Sequence, residues 1–223
     1  ERCRQAGMAL LGGETADLPD FYRPREFEMA GFAVGVVERR RILGPDRVRP
    51  GDVAIALASS GLHSNGYALA RRVIFERARL KLTDRPAELE GATVAEAMLE
   101  PTRIYAQSVY GVVSSYRVRR VVRSIAHITG GGLPGNLPRA LPEGLTVRIK
   151  RDSWHVPPIF RLIAKKGPVD GVEMMRTFNM GIGFAMVVAP TFASAIMNRL
   201  RRMGERCWAL GKVVKGGPEL RWT

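Results

Sequence analysis

Long apolar runs, paired cysteines, clustered histidines and low-complexity stretches are all missing from this chain of 223 residues. The longest apolar stretches, such as residues 183–190, fall far short of the roughly 20 residues a membrane helix needs. Residues 1–7 carry no hydrophobic signal core. A soluble protein of the cytoplasm is therefore expected, with no membrane partner. The two cysteines, Cys3 and Cys207, stand alone without a C-x-x-C, and there are only three histidines, which argues against a zinc site or a disulfide scaffold. Acidic residues are also scarce, 21 against 35 Lys and Arg, leaving a formal charge of +14. A hydrophobic share of 46% excludes a disordered tail, and the length allows one domain, or one domain and part of another. Because position 1 is Glu and an apolar segment follows within a few residues, the chain is expected to begin inside a longer polypeptide.

Positive charge of this size first suggests nucleic acid, since phosphate neutralisation drives non-specific binding. The distribution argues otherwise. Basic residues are scattered through helical patterns (Arg71, Arg72, Arg77, Arg79; Arg199, Arg201, Arg202) and one short run at 117–123, without the interleaved aromatics of a stacking platform. A solvated basic surface, hospitable to small anions, is the better reading, and no specific nucleic-acid partner is expected.

Residues 8–11 and 27–37 read as apolar strands, separated by a polar loop carrying Pro19 and Pro24. The stretch 43–52 holds two prolines and two glycines, the clearest punctuation in the chain, and places a domain boundary near Arg47: 1–47, then 48–223. Beyond it, strands are expected over 53–57, up to His127, and over 145–149, 182–188 and 207–214. Helices are expected over 67–80, 93–99, 102–115, 158–166 and 191–203. The class is mixed, and alternation alone does not separate a parallel doubly wound sheet from a layered α+β arrangement.

Four segments have the composition of a site. Residues 59–66, S-S-G-L-H-S-N-G, join a strand to a helix and place hydroxyls, His63 and Asn65 where helix-start N–H groups lack partners; phosphate binding and plain helix capping are both open. In I-T-G-G-G-L at 128–133, Thr129, Gly130, Gly131 and Gly132 either close around an anion or form a tight turn. L-G-G-E-T-A at 11–16 sets Glu14 and Thr15 after a glycine pair, which suits a metal-phosphate site, although Glu14 equally suits a helix cap or a pair with an arginine. Asn179 and Gly181 precede a buried strand, as ligands or as turn-formers. His127 and His155 lack neighbours at metal-ligand spacing and read as structural.

Six segments in order, G-G-E-T-A (12–16), A-G-F-A-V-G-V-V-E (30–38), S-S-G-L-H-S-N-G-Y (59–67), L-E-P-T-R-I-Y (99–105), H-I-T-G-G-G-L (127–133) and T-F-N-M-G-I-G (177–183), resemble the phosphoribosylformylglycinamidine cyclo-ligase (aminoimidazole ribonucleotide synthetase) family. The resemblance covers essentially the whole chain. It implies ATP-dependent cyclisation of formylglycinamidine ribonucleotide to aminoimidazole ribonucleotide, with release of ADP and phosphate, in purine biosynthesis. Other enzymes of the superfamily, of the selenophosphate synthetase, thiamine-monophosphate kinase or hydrogenase maturation type, are the alternative, and a basic nucleic-acid-binding module a more distant one.

By the same resemblance the fold is α+β with two domains: 1–47 would be the end of the N-terminal ATP-binding domain and 48–223 a complete C-terminal synthetase domain. A homodimer, ATP and Mg²⁺ are implied, with a phosphorylated small molecule as substrate. His63 and Asn65 would be catalytic; Glu14, Thr15, Ser64 and Gly66 would bind ATP or phosphate, Glu14 also the metal. Thr129, Gly130, Gly131, Gly132, Asn179 and Gly181 would bind substrate. The family's first portion, with its metal-binding aspartates, has no counterpart here, so the chain alone is expected to be catalytically silent.

Overall fold

A computed structural model describes residues 1–116 and 119–223; of the basic run at 117–123, Arg117 and Val118 lie outside the described residues. The chain forms two compact units, Glu1–Ile42 and Leu43–Thr223.

In the first unit a short helix α1 (Arg2–Ala6) ends at Gly7 in the left-handed conformation. The strands expected over 8–11 and 27–37 are absent: both segments lack regular secondary structure and are solvent-exposed, with Leu11 94%, Phe32 95% and Val36 100% accessible. Apolar alternation makes a strand only where another strand supplies hydrogen bonds, and no described residue of this unit does so.

The second unit is a six-stranded sheet in the order β2-β4-β1-β5-β3-β6. Its strands are β1 (Val53–Ala58), β2 (Val122–His127), β3 (Leu145–Ile149), β4 (Ile182–Val188), β5 (Cys207–Lys215) and β6 (Arg221–Trp222). Every pairing is antiparallel except the short β3–β6 edge, so the alternation of strands and helices reflects a layered α+β fold and not a doubly wound one. β1 pairs with β4 and β5, both more than 120 residues later in the chain. All six of its residues are buried because both faces are covered.

Those faces differ in size. Ala54 and Ala56 of β1 join Ala126 and Ala185 on one side, packing with Leu133 and Leu137 of the segment after β2. Val53, Ile55 and Leu57 pack on the other side with Val112 of α4 (Ala106–Ser115) and Ile196 and Leu200 of α8 (Ala193–Arg202). Small residues on one face let a helix approach closely; branched ones on the other fill the space beneath longer helices. A third cluster has no strand in it. Ile74, Val94, Phe160 and Phe178 join α2 (Tyr67–Arg71) and its π-helical continuation Arg72–Arg77, α3 (Val94–Leu99), α6 (Pro158–Lys166) and α7 (Gly171–Thr177).

Three expectations from the pattern shift in detail. The helix expected from 102 begins at Ala106, with Tyr105 as its N-cap and residues 101–105 outside any regular element. Thr93 forms a capping box with Glu96, fixing the start of α3. α5 (Gly132–Asn136), α7 and β6 are additional, and the glycine content of α5 hides it from a propensity reading. No helix among the described residues is long and apolar enough to cross a membrane.

Ile55 is fully buried between the two neighbours of β1. Ile55→Ala is expected to cost about 3 kcal/mol of unfolding free energy, measured by urea denaturation, with an unchanged sheet signature in circular dichroism.

Candidate functional site

β1 and β2 both run antiparallel to β4, so the C-terminal ends of β1 and β2 and the start of β4 share one edge of the sheet. That topology gathers three of the four sequence segments. Ser59 N–H donates to the Gly181 carbonyl at 2.9 Å, and Ile128 N–H to the Gly183 carbonyl at 3.0 Å. A Cβ on Gly130 would stand 3.6 Å from Asn65 Oδ1, so the tips of the first two loops face each other. Glu14 and Thr15 belong to the other unit, where they line an open hollow with Arg23, Arg25 and Glu28.

Asn179 is 1% exposed and fully used. Its Oδ1 accepts from Ser59 Oγ at 2.7 Å and from Gly181 N–H at 2.8 Å; its Nδ2 donates to the carbonyls of Gly61 at 2.8 Å and Leu62 at 3.3 Å. An amide has two donors and room for two acceptors, so this side chain has no hydrogen-bonding capacity left for a ligand. Gly181 behind it has φ +99°, and a Cβ there would lie 2.5 Å from the His155 carbonyl.

His63 is 3% exposed, in the left-handed region at φ +53°, followed by Ser64 at +57° and Gly66 at +71°. Its Nε2 faces the N–H groups of Ser60 at 2.9 Å and Arg103 at 3.3 Å. Two main-chain donors require a lone pair on that nitrogen and therefore put the hydrogen on Nδ1, which is buried without a partner. Burial, then the nearby His127 and Arg103, lower the pKa of His63 to about 4, so the ring is neutral near pH 7. A proton shuttle near neutral pH does not suit that environment. His127, read as structural from spacing, lies at the end of β2 with part of its surface exposed and one side of its ring against Tyr105 and Phe184; that partial desolvation lowers its pKa too.

Around this centre the outward groups are Ser64, exposed with Oγ 3.4 Å from Thr102 Oγ1, and the half-buried Asn65, whose Nδ2 donates to the His63 carbonyl at 2.6 Å. Thr129 is half-buried, and Gly130 and Gly131 are exposed. Asn136 holds the glycine loop from inside, donating to the carbonyls of Gly130 at 3.1 Å and Gly132 at 2.8 Å. Gly66 and Gly132 are demanded by packing: a Cβ on Gly66 would lie 2.4 Å from the Phe178 ring, and one on Gly132 1.9 Å from the Met175 carbonyl. Residues 101–105, Asn136 and Glu205 were not singled out as site residues in the sequence. The L-E-P-T-R-I-Y segment carried a signal, but Glu205 sits alone among arginines and gives none.

Among the described residues no group of three or more His, Cys, Asp and Glu could hold a metal ion. Glu14 therefore stands without the companion carboxylates of a protein-built Mg²⁺ cage.

The family of AIR synthase related proteins, through its C-terminal domain, matches residues 49–223. The chain is 50% identical over 217 residues to the phosphoribosylformylglycinamidine cyclo-ligase of Sorangium cellulosum, covering 97% of this chain and 62% of that protein. With the enzyme of the same name from Anaeromyxobacter dehalogenans the identity is 51% over 218 residues, 98% of this chain and 61% of the other. The chain thus spans about three fifths of the length of these relatives. Among solved structures, thiamine-monophosphate kinase from Stenotrophomonas maltophilia superposes with a TM-score of 0.53 at 17% identity, over 83% of this chain and 54% of that one, a likeness of fold alone.

Two predictions follow from the loop geometry. Gly132→Ala is expected to lose about 3 kcal/mol or more of stability, whereas Gly131→Ala, whose Cβ would make ordinary contact with Gly135 Cα at 3.5 Å and bear only the strain of φ +93°, loses about 1 kcal/mol; paired urea titrations distinguish them. Because the folded pKa of His63 lies below its unfolded value, the unfolded state binds more protons between about pH 6.5 and 4, so this contribution is intact above that window and lost as pH falls through it. His63→Gln removes the titration and should flatten the stability profile there by roughly 2–3 kcal/mol, with His127 supplying a smaller residual slope.

Proposed function

The chain belongs to the AIR synthase related family, its residues 49–223 forming the C-terminal domain, and from that membership we propose that it serves in the ATP-dependent closure of formylglycinamidine ribonucleotide to aminoimidazole ribonucleotide, releasing ADP and phosphate. The observation that carries this reading is the convergence of the 59–66 and 128–132 loops on one sheet edge in a chain about half identical to enzymes of that name. A homodimer in the cytoplasm accompanies the proposal, as does the assignment of 1–47 to the end of an ATP-binding domain.

An amide oxygen is a poor leaving group, and ATP supplies the phosphoryl group that makes it a good one. The nitrogen that closes the ring then attacks the carbon bearing that oxygen, the carbon–oxygen bond breaks, inorganic phosphate departs with the oxygen, and the new ring nitrogen gives up its proton. What a protein adds is alignment and compensation of negative charge. Ser64 Oγ, Asn65 and the main chain of Gly130 and Gly131 are the groups of this edge that can meet an anionic ligand, with Thr129 beside them. Gly66, Gly132, Asn179 and Gly181 act from behind by permitting or fixing the loops. His63 supports the first loop as a neutral ring, and Glu14 and Thr15 are assigned to phosphate from their own unit.

Calorimetric titration of formylglycinamidine ribonucleotide into the chain tests the reading. Binding is expected, and Asn65→Ala should weaken it about tenfold, the scale of one lost hydrogen bond in a polar site, at unchanged melting temperature. A wild-type chain that takes up no substrate, or a folded Asn65→Ala of undiminished affinity, rejects this site.

A further inference from the structure

We propose that the Glu205–Arg103 ion pair is a positioning device that fixes the ring of His63 in the tautomer with hydrogen on Nδ1, by holding the main chain of Arg103 against Nε2. Its consequence for turnover rests on the function proposed above; the tautomer itself does not.

Glu205 follows α8, whose last turn carries Arg199, Arg201 and Arg202, and it directly precedes Arg206. Its carboxylate nevertheless forms its close ion pair elsewhere. The side chain is 4% exposed, and Oε2 receives Arg103 Nε at 2.9 Å across 102 positions of sequence. The other oxygen, Oε1, accepts from Ser108 Oγ at 2.6 Å. A second guanidinium nitrogen of Arg103 donates to the Gly204 carbonyl at 3.0 Å. The arginine fork therefore grips the turn before β5 at two points, while both carboxylate oxygens are engaged. Burying a carboxylate is costly, and a well-packed apolar pair would stabilise a fold at least as well; what an ion pair of this geometry supplies is a single arrangement.

The arrangement it supplies bears on one atom. With its side chain anchored, Arg103 points its own N–H at His63 Nε2, 3.3 Å away, alongside the Ser60 N–H at 2.9 Å. Ser60 Oγ also lies 2.9 Å from Nε2 and 2.7 Å from the Pro101 carbonyl, and with a lone pair on Nε2 its one hydrogen is shared between these two acceptors. A hydrogen on Nε2 would point into two N–H groups, so that tautomer requires the 101–103 segment to withdraw. Neither Glu205 nor the Arg103 guanidinium is among the outward groups of the proposed ligand edge; both act through His63 and the loop it supports.

Because the chain has only three histidines, its ¹⁵N imidazole signals are separable by long-range ¹H–¹⁵N correlation, with His63→Gln identifying the relevant pair. Near neutral pH the wild type is expected to show His63 protonated at Nδ1 only. Glu205→Gln keeps the shape and the Ser108 contact but loses the charge, and Arg103→Lys keeps the charge but loses the fork. Each should shift the tautomer ratio by about tenfold toward Nε2–H, the worth of one hydrogen bond, while amide spectra report an intact fold. Should Glu205→Gln fail to fold, Arg103→Lys, whose side chain is 31% exposed, decides alone. A wild-type His63 carrying its hydrogen on Nε2, or unchanged His63 signals in folded Arg103→Lys, overturns the proposal. Titrating formylglycinamidine ribonucleotide into the same samples separates the two ideas: absent wild-type binding rejects the function and leaves the tautomer result standing.

Discussion

The amide of Asn179 is the constraint on which the site edge depends. Three of the four hydrogen bonds of this buried side chain tie the start of the first loop, at Ser59, Gly61 and Leu62, to the turn before β4, and the fourth, from Gly181 N–H, holds that turn. That tie sets where residues 63–66 can go, and three of them take left-handed backbone angles that cost a non-glycine residue about 1 kcal/mol or more. The second loop is held the same way, with Asn136 donating to the carbonyls of Thr129, Gly130 and Gly132. Each amide substitutes for a strand partner that the backbone, having left the sheet, no longer has. An apolar side chain could fill either space but would leave several buried carbonyls without donors.

Electrostatics follows the same division between what holds and what faces outward. In a chain with so few carboxylates, two of them, Asp52 and Glu205, are buried, and each meets an arginine distant in sequence: Arg123 at 3.6 Å and Arg103 at 2.9 Å. Burial raises the pKa of Asp52, countered by its hydrogen bond from the Arg49 N–H and by the Arg123 charge. Most of the remaining basic side chains are exposed, and their summed field favours small anions without requiring a dedicated groove.

The second unit was legible because β1 and β4 are buried on both faces and α6 and α8 each bury one apolar face; β1, β3, β4, α6 and α8 lie within a residue or two of where periodicity places them. The first unit was misread for the converse reason. Residues 27–37 have a strand's composition, but hydrogen-bonded pairing belongs to two segments and cannot be read from one. Parallel versus antiparallel order was equally hidden, since it depends on contacts between β1 and residues more than 120 positions away. Within the site, loop positions could be read from glycine and hydroxyl composition. The inward or outward sense of each residue could not, because it depends on Phe178, Met175 and Asn136, which pack against those loops from other elements.

That sense is what separates architecture from chemistry in these motifs. In S-S-G-L-H-S-N-G, Ser59 and His63 point into the protein while Ser64 is exposed and Asn65 half-exposed. In T-G-G-G, Gly132 is locked against main-chain carbonyls while Gly130 and Gly131 stay open. A left-handed turn produces this split, since reversing the chain over two residues sends neighbouring side chains to opposite sides of the loop. A motif of this kind thus does two jobs at adjacent positions: its buried members require the conformation, and its exposed members present polar groups because of it. The histidine, the residue most readily named a catalyst from sequence, falls in the first class here, and the asparagine two positions later falls in the second.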